Sequence, residues 1–479
     1  MASNTGIYTP FFALNLQRDN TRSTEGEDFT PRPLFIGQKL ATGTAANGAI
    51  LKVNTLADVE ALAGKGSHLY TMMTGFFAER PKTESYIGVL ADAGGATKAS
   101  RDFTISTVAT ESGTLSYRIN GERFSTAVLD TDSVTDIADK IVTAIGADAA
   151  VSGRNFTAAN VAGVVTITSA NGGIAVGQIE ISVLKDSTDR EIPGLTYVVG
   201  AITAGTGDPD VQDVFDSIGD AHYYLMLSPY ADATNLGKAE VVLDELGNEY
   251  NARDAEYITA TTDTTSNLTT LAASIANKYV SILDIEGWQT DKATILGHIG
   301  REISNSVLTD VNRPLHNMAI PQIVAPVTGT ERVWEDRNAL ARDGIAGLNP
   351  DNITLETPCT TFIATSEERR WENIFNLTSL RISFKNRIIR DYGRAKLKRG
   401  EERVAPGQIV INEAIAKAAG SQWYGEKVFV AQVEDKAYFD ANISVDITDV
   451  DTLTWFLPIT LVGQYVVGDG SMNYILGSN

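Results

Sequence analysis

The chain has 479 residues, 43% of them hydrophobic, with a mean hydropathy of −0.07. It is too long for one core and ordinary in composition for a globular protein, so roughly two to four domains are expected. A formal charge of −21 argues against general nucleic-acid binding. No apolar run approaches the roughly 18 residues that a membrane span needs.

Cys359, the single cysteine, excludes an intramolecular disulfide and reads as a small buried residue in a reducing compartment. No basic region followed by an apolar core marks a signal peptide at the N-terminus.

Residues 1–30 read as an arm. Phe12, Leu14 and Leu16 alternate with polar or small residues, which gives a strand with one apolar face. A polar tract over 17–28, too poor in apolar residues to build a core, follows it. A buried strand is expected at 34–37, capped helices at 54–62 and 67–77, and a strand at 86–90.

Between 91 and 207 the pattern changes to short β-rich runs at 103–108, 115–119, 124–129, 164–168, 179–184 and 195–199. Asn120-Gly121 between two such runs predicts a hairpin. One helix is expected over 133–145, with Ile137, Ile141, Val142 and Ile145 on a stripe. Glycines at 94–95, 205 and 207 frame the block.

Helices and strands then alternate: helix 211–218, strand 223–227, helix 234–250, strand 280–284 and helix 290–308. A basic helical stretch, a short helix over 412–419 and a strand over 428–433 follow. At the C-terminus Trp455, Leu457, Ile459 and Leu461 alternate with Phe456, Pro458, Thr460 and Val462, and 472–476 reads as a further strand. Neither terminal strand has an evident partner in the sequence, and an apolar strand edge invites pairing with another chain.

The fold class is therefore α+β and multidomain. The expected parts are an N-terminal arm (1–30), an α/β core (31–96 and 207–348), an inserted β-rich, outward-facing domain (97–206), a C-terminal α+β assembly domain (349–451) and a C-terminal strand arm (452–479).

Few motifs suggest chemistry. Gly64-Lys65-Gly66-Ser67 lacks the first glycine of a phosphate loop and reads as a turn with Ser67 capping the next helix. His68, His222, His298 and His316 match no metal-ligand spacing. Asp446, Asp449 and Asp451 lack the glycine and closing glutamate of a calcium loop. No cofactor is expected.

Charge is unevenly spread. Residues 206–265 carry thirteen acids and two bases, a net of −11, whereas 367–403 carry eleven bases and six acids, a net of +5. On a helix, Arg387, Arg390 and Arg394 share one face, with Arg381 and Lys385 as a neighbouring pair. The stretch reads either as a solvated face or as a dock for an acidic partner.

Several landmarks in order resemble Mu-like contractile tail sheath proteins. They include Leu34-Phe35-Ile36-Gly37-Gln38, Leu227-Ser228-Pro229-Tyr230, Asn312-Arg313-Pro314-Leu315 and Trp334-Glu335-Asp336-Arg337-Asn338. Pro358-Cys359-Thr360-Thr361-Phe362, Ala405-Pro406-Gly407-Gln408 and Leu457-Pro458-Ile459-Thr460-Leu461-Val462 continue the likeness. It covers about residues 30–90 and 210–479. Gly6-Ile7-Tyr8-Thr9-Pro10 departs from the Pro-Gly-Val-Tyr start of the family.

The resemblance implies a non-enzymatic subunit that polymerises as stacked sixfold rings around an inner tail tube. It also implies baseplate and tail terminator proteins as partners, assembly in the host cytoplasm and a place in the virion tail, with no direct nucleic-acid contact or membrane insertion. The terminal strands (Phe12, Leu14, Leu16; Trp455, Leu457, Ile459, Leu461) would pair between subunits. Arg381, Lys385, Arg387, Arg390 and Arg394 would face the tube. An acidic bacterial surface or adhesin-like protein is the alternative.

Overall fold

A computed structural model describes residues 32–146, 152–185, 191–248, 251–364, 369–400, 403, 405–448 and 451–463. It is a mixed α/β protein with several sheets. The N-terminal strand carrying Phe12, Leu14 and Leu16, and the expected strand at 472–476, lie outside these residues.

Strand β1 (Pro33–Gln38) is buried throughout, β2 (Ile50–Val53) lies antiparallel to β3 (Ser85–Leu90), and β3 runs parallel to β1. Two helices connect β2 to β3. The first, Leu56–Ala63, opens on a capping box between Thr55 and Asp58. In the second, His68–Phe76, the Ser67 hydroxyl caps the Tyr70 amide at 3.0 Å.

The next block is antiparallel. Its strands are β4 (Ser100–Thr107), β5 (Gly113–Ile119), β6 (Glu122–Val128), β7 (Phe156–Val161), β8 (Val164–Ser169), β9 (Ile181–Leu184) and β10 (Thr196–Val199). They form a four-stranded sheet in the order β10-β4-β8-β7 and a three-stranded sheet in the order β6-β5-β9. The β5–β6 hairpin turns on Asn120 and Gly121, with φ of 50° and 85°, the left-handed pair that Asn-Gly adopts at least cost. Helix Val134–Ile145 turns Ile137, Ile141 and Ile145 into a core shared with Phe103, Tyr117 and Phe156. Val142 stays at its edge.

The chain then returns to the first sheet. Strands β11 (Leu225–Leu227), β12 (Glu256–Thr261), β13 (Val280–Asp284), β14 (Met318–Ala319), β15 (Ile345–Asn349) and β16 (Thr354–Thr357) complete nine strands in the order β14-β16-β15-β13-β12-β11-β1-β3-β2. From β15 to β3 the neighbours are parallel. A parallel sheet must be covered on both faces, and successive residues alternate between them. Leu34, Ile36 and Met226 enter one cluster with helices Ala233–Leu246 and Thr265–Ile275. Phe35, Leu225 and Leu227 enter the other, with helices His68–Phe76 and Lys292–Thr309. The last two helices touch closely: a Cβ on Gly75 would lie 2.7 Å from the Thr294 carbonyl oxygen.

Helix Trp371–Tyr392, 22 residues and about 33 Å long, bridges two cores. Trp371 and Phe375 sit in the central sheet's core, whereas Leu380 and Phe384 belong to a separate C-terminal cluster. That cluster also holds helices Glu413–Phe429 and Lys436–Asn442. The short ladder β17 (Lys396–Leu397) with β18 (Val410–Ile411) and the hairpin β19 (Ser444–Ile447) with β20 (Leu453–Phe456) complete it.

Two expectations are corrected here. Residues 428–433 form no strand, because the preceding helix runs on to Phe429 and only Val433 makes an isolated bridge, to Leu461. The helix stripe Ala416, Ala419, Trp423 and Tyr424 carries the burial that overrides the local β preference. The basic helix also stops at Tyr392, so Arg394 lies beyond it.

Candidate assembly surface

The C-terminal cluster is held by packed aromatic rings. Phe384 meets Trp423 and Trp455 edge-on, each at 5.0 Å between centroids, and Tyr424 stacks on Phe439 at 3.8 Å. Buried Trp423 satisfies its indole N–H by donating to Ser383 Oγ at 3.0 Å. Gly420 leaves room for β20, since a Cβ there would stand 3.4 Å from the Trp455 ring and 2.6 Å from Ile443.

Trp455, Leu457, Ile459 and Leu461 all pack, half-buried, on this cluster of their own subunit. The tail beyond β20 is fastened as well. The Glu434 amide donates to the Thr460 carbonyl at 2.9 Å, and the Thr460 amide donates to the Tyr424 hydroxyl at 3.1 Å. The C-terminal strand therefore has an internal partner, β19, contrary to the expectation that it had none. Among the described residues β20 pairs only on that side, and Phe456 points outward at 61% exposure. Phe429 (90%), Ile409 (58%) and Ile389 (58%) are further exposed apolar side chains of this unit.

The basic residues do not form one face. Arg387 is buried, its guanidinium 2.5 Å from Glu426 and 3.8 Å from Asp391. Arg381 is paired with Asp254 at 2.7 Å and donates to the Gly247 carbonyl. Arg390 is exposed and lies 2.9 Å from Asp391, and Lys385 and Arg394 are also exposed. Sequence spacing placed these residues on a helix but could not show which way each points against the Glu413–Phe429 helix.

Trp371, Ser281 and Glu256 form a buried polar chain. Trp371 Nε1 donates to Ser281 Oγ at 2.6 Å, and that hydroxyl is bonded to Glu256, whose carboxyl is pushed well above the usual range by full burial. Burial likewise raises the Cys359 thiol to about 12, far from a reactive thiolate. Among the described residues, no three His, Cys, Asp or Glu side chains are grouped to hold a metal ion. No described helix is long and apolar enough to cross a membrane.

No family model matches the chain. The chain is 25% identical over 445 residues to the Mu-like prophage FluMu tail sheath protein of Haemophilus influenzae, covering 90% of each chain. Solved structures similar to it include the sheath tail protein of Desulfitobacterium hafniense, at 12% identity, TM-score 0.49, and 95% and 97% of the two chains. The helical sheath of the anti-feeding prophage in its contracted state matches at 10% identity, TM-score 0.49, and 99% and 100% coverage. The sequence relation carries the comparison, and by it the chain resembles Mu-like tail sheath proteins.

Proposed function

We propose that this chain is the sheath subunit of a contractile tail. Copies stack as sixfold rings around an inner tube and pass to a shorter, wider packing that drives the tube through a host envelope. The observation that carries this reading is the 25% identity to a Mu-like tail sheath protein along nine-tenths of both chains. The role is mechanical, with no cofactor and no catalytic step. The particle is built in the host cytoplasm as a virion tail, with baseplate and terminator proteins at its ends.

On this reading the arm bearing Phe12, Leu14 and Leu16 and the outer edge of β20 join subunits by adding strands to a neighbour's sheet. Trp455, Leu457, Ile459 and Leu461 anchor that edge to its own subunit. Such contacts are heterologous and grow a helix rather than closing a dimer. Arg390 and Arg394 turn toward an acidic tube, and the 97–206 block faces outward.

Negative-stain microscopy of the purified protein tests the reading. Hollow tubes with sixfold end views are expected. Monodisperse particles under all salt conditions would overturn it.

A further inference from the structure

Helix Trp371–Tyr392 passes from the central core to the C-terminal cluster between Phe375 and Leu380. Thr378 is buried at that crossing, and its hydroxyl donates to the Ile374 carbonyl, four residues back, at 2.7 Å. A hydroxyl bonded this way competes with the helix's own ladder and eases a bend at that turn. A latch lies beside it. Asn376 Nδ2 donates to the Gln432 carbonyl at 2.9 Å, and Asn312, just after helix Lys292–Thr309, donates to the Ala431 carbonyl at 3.0 Å.

Beyond the crossing the two units stand apart. Leu377, Leu380, Arg381 and Phe384, at helical spacing on one stripe, line a groove built of clefts of about 410 and 750 Å³ that share Ala252, Arg381 and Lys385. Its other walls include Trp423, Leu457 and Ile459 of the C-terminal unit and Gly247, Asp254 and Tyr279 of the central core. Leu377 is left 43% exposed in it. Apolar walls that face each other across water gain free energy by meeting.

One side chain crosses the gap. Arg381 Nη1 donates to Asp254 Oδ2 at 2.7 Å and to the Gly247 carbonyl at 3.2 Å. Its anchor is fixed in the central core. Asp254 Oδ1 accepts from the Tyr279 hydroxyl at 2.7 Å, and Gly247 fits against that tyrosine, where a Cβ would come within 2.6 Å of the hydroxyl oxygen. Both partners of the ion pair remain within reach of solvent, so salt can screen it.

We propose that Arg381 is a strut that holds the groove open. When its ion pair is released, the C-terminal unit swings about Thr378 and the Asn312–Asn376 latch, and the groove closes over Leu377 and Ile459. The device lies within one subunit and stands whether or not the chain polymerises as a sheath.

Hydroxyl-radical footprinting of the full-length protein reads this, because oxidation of an aliphatic side chain follows its exposure. In Arg381→Leu, oxidation of Leu377 and Ile459 is expected to fall several-fold, while exposed Val161 in the 97–206 block is oxidised as before. High salt is expected to lower oxidation of the same two residues, relative to Val161, in the unaltered protein. The variant decides if it melts near the parent, and the salt series decides if it does not. Unchanged oxidation of Leu377 and Ile459 would show a rigid joint and overturn the proposal. A rise would overturn it as well, by making Arg381 a clasp that keeps the two units from parting.

Discussion

Glu372 occupies the first turn of helix Trp371–Tyr392, 1% exposed, with one carboxylate oxygen that has no hydrogen-bond partner among the described residues. Burial pushes its pKa up to about 7, only partly offset by a hydrogen bond from its own backbone amide and by the charge of Arg370. A folded pKa above the unfolded value means the native state holds the proton more tightly. Stability is then greatest below the unfolded pKa and falls as pH rises toward 7. Replacing Glu372 with Gln removes that loss. Denaturant unfolding of Glu372→Gln is expected to show a gain of about 1–3 kcal/mol at pH 8 and almost none at pH 4.5. An equal gain at both values would assign the effect to packing instead.

The basic helix obeys the same residue-level logic. Reversing Arg387 would set a new carboxylate against Glu426 and Asp391, so a triple reversal with Arg390 and Arg394 confounds unfolding with loss of docking. The double variant Arg390→Glu/Arg394→Glu leaves the cluster intact. It is expected to weaken capture of inner tube in a pull-down most strongly at low salt, with an unchanged melting temperature. Unchanged capture would make these arginines a solvated face.

At the scale of elements, the C-terminal hairpin decides what a truncation reports. Leu453, Trp455, Leu457, Ile459 and Leu461 all contact the C-terminal cluster, so a chain ending at 451 loses five apolar side chains from its own core. Full burial of a large apolar side chain contributes about 1.5–3 kcal/mol, and half-burial less, so the total is several kcal/mol. A chain ending at 463 removes none of these contacts. Thermal melts are expected to place the 463 variant near the full-length protein and the 451 variant well below it. Equal melting temperatures would show that the hairpin stabilises its subunit little.

The same hairpin shows what the sequence disclosed. Alternation picked out the inward side chains Trp455, Leu457, Ile459 and Leu461, although the strand itself is shorter than expected and ends at Phe456. Its partner β19 was missed because Ser444–Ile447 is only four residues with two acid or hydroxyl side chains. Strand β7 was missed for a related reason: its hairpin with β8 turns on Ala162 and Gly163, φ of 52° and 90°, without the Asn-Gly signature. Helix Thr265–Ile275 and strand β12 also escaped notice, being rich in Thr and Ala and dependent on the sheet for burial.

At the scale of the whole molecule, the 97–206 block is fixed to the central sheet through a polar junction centred on buried Asn171, His68 and Gln38. Asn171, 2% exposed, accepts from the His68 amide at 3.0 Å and donates to Asp92 at 2.7 Å and the Lys39 carbonyl at 2.9 Å. Asp92 also accepts from Gln38 and the Gly172 amide, each at 2.9 Å. Removing Asn171 alone leaves the buried His68 amide unpaired, while exposed Asp92 keeps Gln38 and Gly172; removing the whole block opens these groups to water, which restores their hydrogen bonds. The smaller change is therefore the more damaging one. Asn171→Leu is expected to cost about 1–3 kcal/mol in denaturant unfolding, chiefly from the unsatisfied His68 amide. Replacement of 97–206 by a short Gly/Ser linker is expected to cost the central core less than this and still to give tubes in the microscope. If the linker variant unfolds while Asn171→Leu stays near the parent, the block is part of the subunit's core rather than an ornament on it, and its outward placement in a sheath would have to be abandoned.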